Sequence, residues 1–223
     1  MKAVFKDLQS EFQLIFRSKT FDAILLPFIF IISSRQTTLF NAFFLTFAIS
    51  TLFLLFRLLK KQKWIYSFAG TLGVILSGGF ALIASNATNY FLPGILSNGF
   101  LLIISAVSLF IRRPMAIYLS HLSRGWELPW YFRTDIFPAY AEVTWMWTLL
   151  FVLRTFIQIY LYIQQEVTQL FIVNTLMGTP AIIVVLSLSY LYGIYRLKQL
   201  KGPGIDEFRE QKQPPYMGQR KGF

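Results

Sequence analysis

Arg154 lies in the stretch LFVLRTFIQIYL, residues 150 to 161, an otherwise apolar run. A guanidinium stays charged at any physiological pH and carries five N–H donors. Its chemistry in such a run is the capture of an anion, a lipid headgroup or a backbone carbonyl. Helical spacing puts Trp147, Gln158 and Gln165 on the same face. Asn98 and Asn174, each near the end of its own apolar run, add neutral amides. These four side chains, Arg154, Gln158, Asn98 and Asn174, describe a small hydrated cavity with the arginine at its floor. Two readings stay open. One is a site for an anion or headgroup; the other is a structural arginine bonded to carbonyls freed by Pro180 or to nearby amides.

Other chemistry is sparsely represented. The chain has no cysteine, which removes disulfides, thiolate metal sites and cysteine nucleophiles, and His121 is its only histidine. No phosphate-binding glycine loop, G-x-S-x-G or HExxH is present. Asn86-Ala87-Thr88 matches a glycosylation sequon by chance in a short loop. The carboxylates Glu127, Asp135 and Glu142 lie at the edges of apolar runs, not at membrane depth, which disfavours an enzyme acting on lipid. Neither catalysis nor a metal or cofactor is therefore expected.

The elements that must hold Arg154 are membrane helices. Residues are 55% hydrophobic, 18% aromatic and only 14% charged, more apolar surface than a soluble chain of 223 residues can hide. Runs long enough for a hydrocarbon core of about 30 Å are read at 20 to 37, 39 to 59, 65 to 85, 93 to 111, 143 to 163 and 170 to 195. The first is the shortest in strictly apolar content and contains Pro27. Counted from Val143, Arg154 lies about 17 Å along its helix, near the midplane. There a charge costs at least about 2.5 to 3.5 kcal/mol on insertion scales and must face protein. No Asp or Glu is available at that depth: Asp22 and Glu142 mark the inner ends and Glu166 an outer loop.

Lys and Arg are enriched in cytoplasmic loops, and with both termini inside, 19 of the 21 basic residues fall there. The net charge of +11 is then read against anionic headgroups on the cytoplasmic side, not nucleic acid. The sequence predicts an all-α polytopic fold: a cytoplasmic amphipathic interfacial helix over 1–19 and a six-helix transmembrane domain over 20–197. Within that domain lies an aromatic cytoplasmic loop, 112–142; a polar, disordered tail, 198–223, follows it. In the loop, Trp126, Trp130, Arg112 and Arg113 are assigned to the headgroup level. Ala69, Gly73, Ser77 and Ala81, spaced by four, are assigned to close helix packing, within the chain or across a homodimer seam. ILLPFIF and YFLPGIL open the first and fourth runs, and AGTLG loosely echoes VNTLMG, an arrangement compatible with two inverted three-helix halves.

The stretch NYFLPGILSNGFLLIISAVSLFIRRPM, with AYAEVTWMWTLLFVLRTFIQIYLY and Met177-Gly178-Thr179-Pro180, resembles a bacterial family of six-helix membrane proteins catalogued as a domain of unknown function. That family is similar in layout to intracellular septation protein A. The resemblance spans about residues 20 to 197 and rests on Leu92-Pro93-Gly94, Asn98, Arg112-Arg113-Pro114, Tyr140, Arg154, Gln158, Tyr162, Gly178 and Pro180. It implies a location in the bacterial inner membrane, or an internal membrane of such a cell, and no cofactor. Two functions are carried forward. The first is a non-catalytic protein acting through other membrane proteins, in the cell envelope or as an accessory subunit; the second is a small transporter or channel with an outward polar cavity ending at Arg154.

Overall fold

The computed structural model describes residues 19–59, 65–220 and 222–223; the amphipathic segment expected before Lys19 lies outside them. Among the described residues every regular element is helical. In chain order these are α1 (Lys19–Gln36), α2 (Leu39–Leu59), α3 (Ile65–Ile83), a 3-10 turn (Ala87–Phe91), α4 (Leu92–Phe110) and α5 (Met115–Arg124). They continue with α6 (Leu128–Tyr131), α7 (Phe137–Ile163), α8 (Val167–Leu176), α9 (Thr179–Leu200) and α10 (Ile205–Arg209). Among the described residues, four helical stretches are long and apolar enough to cross a membrane: Leu39–Leu59, Ala87–Phe110, Phe137–Ile163 and Val167–Leu200. Large apolar side chains such as Phe110, Ile83 and Leu59 are almost fully exposed, which water would penalise and lipid accepts. This is an integral membrane protein.

Two compact units divide the chain. One comprises residues up to Ile95 with Gln158–Leu176; the other comprises Leu96–Ile157 and Met177–Phe223. The units do not follow two sequence halves, since the first recruits a segment from the second half of the chain.

In the first unit, α2 buries Ala42, Thr46 and Ser50 at four-residue spacing. Lipid offers no hydrophobic drive between helices, so small side chains that admit close backbones do the packing. Facing elements of α3 are Thr71, Val74, Gly78 and Ala81, and the Thr71 hydroxyl donates to the Ser50 carbonyl at 3.4 Å. Gly78 is required by close approach: a Cβ there would fall 2.1 Å from Phe43 Cδ2. The Phe43 ring cannot yield easily because it stacks on Phe47. Phe30, stacked on Tyr90 at 4.1 Å, centres the core with Ala42, Ala81, Leu161 and Leu170. Asn86 accepts the Thr88 N–H at 2.9 Å and so caps the 3-10 turn, a structural use of the sequon asparagine.

The small stripe assigned to close packing, within the chain or across a homodimer seam, does not form the contact of α3 with α2. Of its four members only Ala81 is buried; Ala69 and Gly73 are exposed and Ser77 is intermediate. The packing face is rotated away from the four-residue line because α2 meets α3 along the 3-4-3 spacing of Thr71, Val74, Gly78 and Ala81.

An aromatic core holds the second unit. Trp130, Tyr131 and Tyr140 are fully buried, and Trp126 is 7% exposed. This corrects the headgroup assignment of both tryptophans: their rings pack edge to face on each other and Trp130 packs likewise on Tyr131 and Tyr140. Trp130 Nε1 donates to the Pro203 carbonyl at 2.9 Å, and the Tyr131 hydroxyl donates to Ser120 Oγ at 3.0 Å. Arg112 and Arg113, by contrast, are exposed.

Disorder of the tail is corrected as well. Gly202 to Ile205 are buried, α10 follows, and Phe223 stacks on Tyr140 with centroids 4.3 Å apart. Gly193 admits that ring, since a Cβ there would lie 2.3 Å from Phe223 Cδ2. Composition suggested disorder, but Ile205, Phe208 and Phe223 carry enough apolar surface to dock the segment on Trp130 and Tyr140.

Gly78→Ala is expected to destabilise the protein by about 1–3 kcal/mol through overpacking against Phe43. Gly73→Ala, in open space, should be neutral or stabilising by up to about 1 kcal/mol. Thermal unfolding in mild detergent compares them; equal behaviour of the two variants would refute this packing face.

Candidate functional site

Positioning of the polar side chains begins with α7, whose 27 residues extend about 40 Å. It starts at Phe137, well before the expected Val143, because its first turns belong to the aromatic core through Ala139 and Tyr140. Arg154 consequently sits four residues, about 6 Å, beyond the helix midpoint. Arg154 and Asn98 belong to the second unit, Gln158 and Asn174 to the first.

In the second unit Arg154 is half-buried and Asn98 is buried. Arg154 Nε is shielded from solvent without a hydrogen-bond partner among the described residues, as is the adjacent Thr155 hydroxyl. A buried guanidinium nitrogen left unpaired is costly, so this is the place in the helix where a ligand or partner acceptor has most to offer.

In the first unit the structure brings Gln158 and Asn174 together. Gln158 is fully buried, and its Nε2 donates to Asn174 Oδ1. The Asn174 amide nitrogen in turn donates to the Leu170 carbonyl at 2.9 Å. Both ends of the Asn174 side chain are thereby engaged, which gives it a structural task within α8.

The run expected as one helix over 170 to 195 is interrupted. α8 ends at Leu176 and α9 begins at Thr179, with Pro180 in its first turn, where a missing N–H is tolerated. Gly178, with ψ −127, carries the break. The Val167–Leu200 stretch of 34 residues would be about 51 Å as a straight rod, far more than a bilayer core needs.

A family model described as "Protein of unknown function (DUF3159)" matches residues 18–198. The chain belongs to the DUF3159 family. No curated protein and no solved structure matches it. The DUF3159 match contains Asn98, Arg154, Gln158 and Asn174, and it ends before the docked tail.

Each carboxylate weighed for chemistry at the edges of the apolar runs has a basic partner. Glu127 pairs with Arg209 at 3.0 Å, Asp135 with Arg133 at 2.8 Å, and Glu142 with Arg196 at 2.8 Å. The Tyr192 hydroxyl also donates to Glu142, at 2.6 Å. His121 Nδ1 lies 2.6 Å from the Trp126 carbonyl, which ties the end of α5 to the aromatic core. The pairings of Glu127 with Arg209 and of Glu142 with Arg196 span more than fifty residues and carry no local sequence signal.

Glu207 is the feature that sequence reasoning missed. Its carboxylate accepts three backbone N–H groups, from Gly204 at 2.8 Å, Met217 at 2.7 Å and Gly218 at 3.1 Å. A glutamate at the third position of a helix reaching back to the cap is a recognised pattern; only the Met217 and Gly218 partners were beyond local inspection. Bonds from Gly204 first, then Met217 and Gly218, hold this carboxyl below the ordinary glutamate value of 4.5, against the opposing effect of burial. Because the folded pKa is depressed, the docking contribution is full above about pH 4.5 and fades as pH falls through the lower folded value. Amide resonances of Gly204 and Gly218 in ¹⁵N-glycine-labelled protein should hold their docked positions to below that pH and leave them at pH 7 in Glu207→Ala. Unchanged resonances in the variant would remove the role.

Proposed function

We propose that this protein is a non-catalytic component of the bacterial inner membrane that works by binding other membrane proteins or a second copy of itself. In this reading α1, α2, α3, α4, α7 and the broken α8–α9 pair form six spans with both termini inside. Support for the orientation comes from the 19 of 21 basic residues on that side. α5, which directs Tyr118, Leu119 and Leu122 outward beside Arg124, lies at the interface. A role in the envelope or as an accessory subunit is what the sequence's resemblance to the layout of intracellular septation protein A suggests.

The carrying observation is on α3. Ala69 and Gly73 are exposed, and a Cβ built at Gly70, Gly73 or Gly79 meets no neighbour within 4 Å among the described residues. In lipid, small residues serve helices that approach closely, and the chain's own contact uses the other face, at Gly78. A photo-crosslinker on Gly73→Cys, clean because the chain has no cysteine, should capture a partner chain or a second copy in native membranes. The same probe on Ile103→Cys, an exposed site on α4, should capture neither. Equal yields at both positions would count decisively against the reading.

A second reading is favoured by Arg154 Nε: a small transporter or channel for an anionic solute, with a polar cavity ending at that side chain. Arg154→Ala should then abolish anion flux into liposomes while preserving the monomer's thermal transition. Flux undiminished in the variant removes it.

A further inference from the structure

Where α9 ends, the tail folds back beside it. Leu197, Lys198 and Lys201 from the end of α9, with Pro214 to Arg220, line a cavity of about 580 Å³. Lys198, Lys201 and Arg220 are all exposed around it, and none of its lining residues is acidic. Elsewhere in this unit four cations are paired individually: Arg133 with Asp135, Arg196 with Glu142, Arg209 with Glu127 and Lys212 with Glu210. The three around the cavity have no carboxylate among the described residues.

A helix C-terminus attracts cations, and this accounts for Lys198 in the last turn of α9 and Lys201 at its cap. It does not account for Arg220, which arrives from the tail, nor for the cavity between them. Arg220 is brought there by fixed parts: Glu207 holds Met217 and Gly218, and Gln219 Oε1 accepts the Ile205 N–H at 3.2 Å. The remaining wall, Pro214, Pro215, Tyr216 and Met217, is largely apolar. The ligand that matches three cations lining one cavity beside an apolar wall is a phosphate group attached to an apolar or ring-bearing body.

The geometry points to a phosphate-binding site formed by Lys198, Lys201 and Arg220, closed by the docked tail and suited to an anionic phospholipid headgroup or a soluble phosphate. The lipid source rests on reading α9 as a span, which sets its C-terminal end at headgroup level. The soluble source does not need that reading, so the two fail separately.

Full-length protein in mild detergent is offered phosphatidylglycerol or phosphatidylcholine and read by native mass spectrometry; inorganic phosphate binding is read by equilibrium dialysis. Retention of phosphatidylglycerol over phosphatidylcholine is expected. Lys198→Gln/Lys201→Gln/Arg220→Gln should weaken it on the order of a hundredfold, and Lys198→Arg/Lys201→Arg should preserve it. Lys212→Gln, at a tail cation already paired with Glu210, should leave it unchanged. Inorganic phosphate that binds and is lost in the triple variant assigns the site to a soluble phosphate instead. The inference is overturned if the triple variant binds both probes like the native chain, if the native chain binds neither, or if the Lys212 variant loses as much.

Discussion

Polar groups at membrane depth have to find their partners inside the protein, because hydrocarbon supplies none. Much of this structure is arranged around that requirement. Hydroxyls fold back on their own helices: Thr46 donates to the Ala42 carbonyl, Thr148 to Thr144, and Ser108 to Ser105. Gln158 donates to Asn174, and Asn174 to a carbonyl of its own helix, so a chain of amides is closed within α7 and α8. Arg154, with Thr155 beside it, is a departure. Its Nε is buried and without a partner among the described residues, one turn before the satisfied Gln158.

The same requirement explains how the helices pack. Backbone-level contact in lipid depends on small side chains, and α2 supplies Ala42, Thr46 and Ser50 while α3 supplies Gly78 and Ala81. Ala69 and Gly73 stay free on another face of α3. The second unit uses a different principle, a dense aromatic core of Trp130, Tyr131 and Tyr140 with ion pairs around it, and this core holds the tail.

Helix content and membrane class were legible because hydropathy runs are local and long. Boundaries of α2 at Leu39–Leu59 matched the expected 39 to 59. Other features depend on which elements meet, and no local pattern carries that. The four-residue stripe on α3 was visible, but which of its two small faces meets α2 depends on Phe43. Trp126 and Trp130 have the composition of an interfacial belt, yet their burial follows from Pro203 and Tyr140 far along the chain. In the candidate site, Gln158 and Asn174 were visible as neutral amides near Arg154 in the sequence, and their mutual bond required the turn between α7 and α8. The order in the tail rests on Glu207 gathering amides from both sides of a loop, a convergence that a Gly- and Pro-rich composition conceals.

We propose above all that the open small-residue face of α3 receives another chain. Native mass spectrometry of the protein released from native nanodiscs tests this most directly. A species heavier than the 25.9 kDa chain, which Gly73→Ile converts to the lone chain while Gly78-dependent packing stays intact, is the predicted result. A 25.9 kDa species for both the native protein and the variant, under every gentle release condition, would contradict it.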